Sequence, residues 1–134
     1  MQPAHWITWG ALLGAAGVAL GAFGAHGLPN LLAGQELDAL AFAKRQEWFE
    51  TAVRYHMWHA VAIIAVGLVA DRCAIRASFA AGALFTLGIA IFSGLLYAMA
   101  FTGLRWLGAI VPIGGVAFIA GWLALAWQAR KLGG

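Results

Sequence analysis

Arg54, Tyr55, His56 and His59 lie within two helical turns of one another, and they are the residues of this chain with the most chemistry to offer. A guanidinium grips phosphate or carboxylate with a fork of N–H donors. A neutral imidazole binds metal or passes a proton, and a phenol both donates and accepts. His56 and His59, three residues apart, would share one face of a helix. Glu50 stands four residues before Arg54, the favourable order for an ion pair along a helix. Further off are His26, set among glycines in Gly21-Ala-Phe-Gly-Ala-His-Gly-Leu28, Tyr97 near the end of a later apolar run, and Arg105 just beyond it.

The composition indicates what must position these groups. Of the 134 residues, 63% are apolar and 10% charged, too little polar surface for a soluble domain of this size. Residues 6–25, 77–104 and 106–129 contain no Asp, Glu, Lys or Arg, and each is as long as the ~20 residues that cross a ~30 Å hydrocarbon core. A fourth candidate, residues 55–70, is roughly 24 Å long as a helix, so it must borrow a turn from residues 51–54, with Arg54 snorkelling to the interface. The predicted spans are about 6–25, 52–70, 77–101 and 106–128. The first is expected to be kept as an anchor, because no Lys or Arg precedes it and it is too long for a signal-peptide core.

Between the first two spans, residues 35–51 form a helix-compatible stretch without Gly or Pro. Leu37, Ala41, Trp48, Ala52 and Tyr55 fall on one side, and Glu36, Glu47, Glu50 and Arg54 on the other. This predicts an interfacial amphipathic helix running into span two, entered after breaks at Pro29 and Gly34. The fold class is therefore all-α integral membrane, a four-transmembrane-helix bundle in one domain.

Four spans put both termini on one side. Arg72, Arg76, Arg130 and Lys131 mark that side, and Lys44, Arg45, Arg54 and Arg105 the other. The cations balance, and the short loops favour both termini in the cytoplasm. Trp6, Trp9, Trp122 and Trp127 fall on the terminal side, where an interfacial belt forms. The same topology brings His26, Glu50, Arg54, Tyr55, His56, His59, Tyr97 and Arg105 to the opposite face. Three readings of this cluster follow. Buried polar groups satisfy one another and the loop backbone; cations hold a lipid phosphate, an anionic metabolite or a quinone head group; or His26 with His56 or His59 supplies imidazoles to a metal, without a carboxylate or cysteine motif in support.

Other motifs concern packing. Gly10, Gly14, Gly17, Gly21 and Gly24 line one face of span one and open a groove for another helix of the bundle or of a second protomer. Gly21, Gly24 and Gly27 are no phosphate-binding loop, having no preceding strand and no following Lys-Ser or Lys-Thr. Pro112, with Gly114 and Gly115 beside it, predicts a kink in span four. Cys73 is the sole cysteine, so there is no internal disulfide. The net charge of +3 is too small and scattered for nucleic acid.

Gly21-Ala-Phe-Gly-Ala-His-Gly-Leu28 and Thr51-Ala-Val-Arg-Tyr-His-Met-Trp-His-Ala60 together resemble the small membrane proteins grouped as domain of unknown function 423, whose eukaryotic relatives are called transmembrane protein 256. The likeness runs over almost the whole chain. It implies a four-span inner-membrane protein, bacterial by its Ala- and Gly-rich composition, and implies no activity. His26, Arg54, Tyr55 and His59 match the family motifs. His56 stands where glutamine is expected, and Pro29 and Asn30 where basic residues are expected.

The expected role is a non-enzymatic structural or accessory component of the membrane, associating with itself or with a larger complex. The alternative is a small-ligand binder or transporter using the His/Arg/Tyr cluster. No nucleophile is paired with a base, and no span carries the carboxylate that cation-coupled transport needs. No cofactor, metal or nucleic acid is expected, and the bilayer is the primary partner.

Overall fold

In the computed structural model, which describes residues 2–73 and 78–130, every regular element is helical. The elements are α1 (Pro3–Ala33), α2 (Ala39–Cys73), α3 (Ser78–Gly88), a π-helical turn (Ile89–Ser93), α4 (Gly94–Thr102), a 3-10 turn (Arg105–Ala109) and α5 (Val111–Ala129). Four stretches are long and apolar enough to cross a membrane: Pro3–Ala33, Ala39–Asp71, Phe79–Thr102 and Arg105–Ala129. The chain is a four-span membrane protein lying in a lipid bilayer. Arg76 and Lys131, two of the cations used to assign sidedness, lie outside the described residues.

Local chemistry sets the helix ends. Pro3 opens α1 behind Gln2, whose backbone N–H donates to His5 Nδ1 at 3.3 Å. Asp38 caps α2, its carboxylate accepting the Ala41 N–H at 2.7 Å and satisfying one of the amides that a helix start leaves free. Gly103, at φ 74°, ends α4 in the left-handed conformation and donates its N–H to Met99.

Two predicted breaks are corrected. Pro29 lies inside α1, which runs on to Ala33; Leu28 and Leu32, both buried to within 1%, hold this last turn against α2 and outweigh one lost backbone bond. Pro112 does not kink a continuous helix. It stands in the first turn of α5, after the 3-10 turn, where a missing N–H has no cost. The amphipathic segment is helical from Ala39 and joins span two without a break, giving one helix of 35 residues.

The glycine stripe packs α1 antiparallel on α2. A Cβ on Gly10 would stand 2.8 Å from the Ala60 carbonyl, one on Gly24 2.8 Å from the Phe49 ring, and one on Gly17 against the Met57 sulfur. Gly67 answers from α2, where a Cβ would lie 2.9 Å from the Pro3 carbonyl. Gly14 alone of the stripe has nothing within 4 Å. The stripe thus serves a neighbour in the same chain, with van der Waals contact between backbones supplying the attraction that apolar burial cannot supply in lipid.

Trp6, Ile63, Val66, Ala81, Phe85 and Phe118 form the core nearer the termini, while Leu28, Leu32, Phe49 and Ala100 form a second one towards the opposite face. Trp6, only 4% exposed and against Gly82, is a core residue and not part of an interfacial belt. Trp127 is exposed with Arg130 4.7 Å from its ring, as a belt residue would be.

Candidate functional site

The polar residues divide between a sealed interior and an open cleft. His56 and Tyr97 meet inside, where α2 faces α4. The Tyr97 hydroxyl lies 3.3 Å from His56 Nδ1, and the imidazole is also within electrostatic reach of the Leu13 backbone on α1. Phe49 packs on Tyr97 with ring centroids 5.0 Å apart. His56 and Ser93 are buried, and His56 Nε2 and Ser93 Oγ make no hydrogen bond among the described residues.

His59 points the other way, toward α5. Its ring stacks on Phe118 at 3.5 Å and 9°. Its Nδ1 lies 2.7 Å from the Tyr55 carbonyl, and its Nε2 accepts from Trp122 Nε1 at 3.2 Å. A carbonyl only accepts and an indole N–H only donates, so the two contacts fix one neutral tautomer with its hydrogen on Nδ1. Both nitrogens are therefore engaged within the chain. Trp122, assigned from sequence to the terminal-side belt, instead sits at the depth of His59 as its partner.

Between α2 and α5 lies an open cleft of about 690 Å³. Arg54, Tyr55, Trp58 and His59 form one wall, and Pro112, Val116, Phe118, Ile119 and Trp122 the other, with Phe92 from the π turn also lining it. Tyr55 packs on Phe92 with centroids 4.5 Å apart. Arg54 is exposed and makes no ion pair or hydrogen bond with any described residue. The expected Glu50–Arg54 pair does not form; among the described residues the single ion pair is Lys44 Nζ to Glu47 Oε2, at 2.8 Å.

His26 is not brought to this site. It is exposed and lies on the face of α1 roughly opposite the glycine stripe at ~100° per residue, whereas α2 packs on the stripe itself. Arg105 is also exposed, beside Lys44 and Arg45 around the Gly103 turn. There Arg45, which the sequence used only to mark sidedness, donates to Gln35 Oε1 at 2.8 Å and to the Phe101 carbonyl at 3.1 Å, joining α2 to the end of α4. No group of three His, Cys, Asp or Glu side chains placed to hold a metal occurs among the described residues. The aromatic partners Phe92, Phe118 and Trp122 were also missed; each lies in a charge-free run where an aromatic reads as lipid-facing.

The fold and site define a small multi-pass membrane protein with an open cleft between two of its helices. The chain belongs to the family described as "Protein of unknown function (DUF423)", whose model matches residues 20–115. It is 41% identical over 129 residues to a UPF0382 membrane protein of Staphylococcus haemolyticus, covering 96% of this chain and 98% of that one. It is 41% identical over 127 residues to the UPF0382 membrane protein YwdK of Bacillus subtilis, covering 94% and 96% respectively. To the UPF0382 inner membrane protein YgdD of Escherichia coli it is 32% identical over 132 residues, covering 98% and 94%. No solved structure matches the chain. The family expectation is thereby met, and the protein is a multi-pass component of the bacterial inner membrane.

Proposed function

We propose that this protein is a non-enzymatic structural or accessory component of the membrane that works by associating with itself or with a larger complex. The observation that carries this reading is the free face of α1. One side of that helix packs on α2 through glycines, while Ala11, Ala15, Ala19 and Ala22 are exposed on the other, in line with His26. Small side chains facing lipid let a second helix approach closely, and a histidine at the end of the row offers a hydrogen bond across the contact. The engagement of both His59 nitrogens supports the same reading, since neither is left for proton transfer.

Native mass spectrometry of the full chain in mild detergent tests this. The wild type is expected to appear as an oligomer or with a copurified membrane partner. The double variant Ala15→Leu/Ala22→Leu, altered only on the exposed face, is expected to appear as a folded monomer. A wild type that is monomeric and without partners, both in detergent and in nanodiscs, would refute the proposal.

A further inference from the structure

The cleft between α2 and α5 has a mouth and walls of different character, and their depths in the membrane differ. The charge-free part of α2 runs from Tyr55 to Ala70, with Arg54 before it and Asp71 after it. At ~1.5 Å per residue the distance from Arg54 to Asp71 is about 25 Å, close to a hydrocarbon core. Arg54 therefore stands where the phosphates and glycerols of the lipids begin. Trp58 and Trp122 lie deeper, at acyl-chain level. Lys44, Arg45 and Arg105 lie further out, on the water side of Arg54.

Arg54 is a cation at the hydrocarbon edge without an anion. Glu50, one turn away, does not pair with it, and no described carboxylate reaches it. An unpaired charge at this depth is costly, and a guanidinium takes a phosphate in bidentate fashion. Below it the groove is open and apolar, with Trp58 68%, Val116 64% and Ile119 62% exposed. We propose that this cleft is a binding site for one anionic phospholipid, its phosphate held by Arg54 and one acyl chain laid in the groove between α2 and α5. The positive charge selects the headgroup, and Tyr55, 40% exposed and lining the same cleft, supplies a further hydrogen-bonding group. The exposed walls admit the lipid sideways from the bilayer.

The test is native mass spectrometry of the full chain in micelles holding equimolar phosphatidylglycerol and phosphatidylcholine with identical acyl chains. The wild type is expected to retain one phosphatidylglycerol in preference to phosphatidylcholine by about fivefold or more, the advantage of one well-placed cation near an anionic surface. Arg54→Gln removes the cation. Val116→Trp fills the groove from an exposed position and leaves Arg54 in place. Each is expected to lower retention of phosphatidylglycerol to the phosphatidylcholine level, whereas Arg105→Gln, outside the cleft, keeps the preference. Equal retention of the two lipids by the wild type overturns the proposal, as does a preference that survives both Arg54→Gln and Val116→Trp. Displacement of the lipid by millimolar inorganic phosphate also overturns it, because the site would then be one for a free anion.

Discussion

His59 shows how a histidine is accommodated inside a membrane bundle. It remains neutral, donates to the carbonyl one turn back and accepts from an indole, so no polar atom of the ring faces hydrocarbon unpaired. Replacing it by Phe keeps the stacking surface for Phe118 but strands the Trp122 N–H. His59→Phe is expected to cost about 1–2 kcal/mol, read as a lower thermal midpoint in detergent, and Trp122→Phe in that background should cost less than it does alone. Additive losses would show that the two residues do not act as a pair. His56 makes a different prediction: Gln retains an acceptor for the Tyr97 hydroxyl and Leu does not, so His56→Gln should lower the midpoint by less than His56→Leu. The motif Thr51–Ala60 singled out both histidines, and the structure sets them on one helix, α2. Their partners were not legible, because a turn of only about 60° around α2, the offset of residues three apart, separates a histidine that faces α4 from one that faces α5. His26 misled for the same reason, as topology gives the membrane face of a residue but not the side of its helix.

The helices themselves were the most legible part of the chain, since runs free of charge leave little choice in a bilayer. Their ends were less so. Pro29 and Pro112 were read as interruptions by composition, yet tertiary packing carries α1 past the first, and the second occupies the one turn where proline fits. The glycine stripe was read correctly as a packing face, but not which of its members bear the contact. The structure separates them, and this gives a paired prediction. Gly10→Leu and Gly17→Leu should abolish a monodisperse peak in size-exclusion chromatography by driving α1 off α2, while Gly14→Leu should elute as the wild type does. If all three behave alike, the close contact at Ala60 and Met57 is not what holds the hairpin. Asp38→Ala, which uncaps α2, is expected to cost about 1 kcal/mol of stability.

At the scale of the whole molecule, four spans place both ends of the chain on one side of the membrane. A phosphatase fused after Gly134 is expected to be inactive and a cytoplasmic fluorescent reporter at the same point bright; the reverse result would invert the orientation and put Arg54 in the inner leaflet. Both halves of span three pack on α2, and α3 packs on α5 as well. Between the two halves comes the π turn, and the close approach of Gly114 to the Phe92 backbone lets α5 seat directly against it. A π turn is an α-helix carrying one residue more than its ladder needs, and its wider turn absorbs that surplus locally, so the residues after it keep their bearing. The cleft draws one lining residue, Phe92, from this turn. A chain shortened by a single residue within Ile89–Ser93 would close the turn into ordinary α-helix and leave α3 and α4 facing their present neighbours, with the change confined to the turn itself. The turn is thus the place along span three where a residue can be gained or lost without disturbing the rest of the bundle.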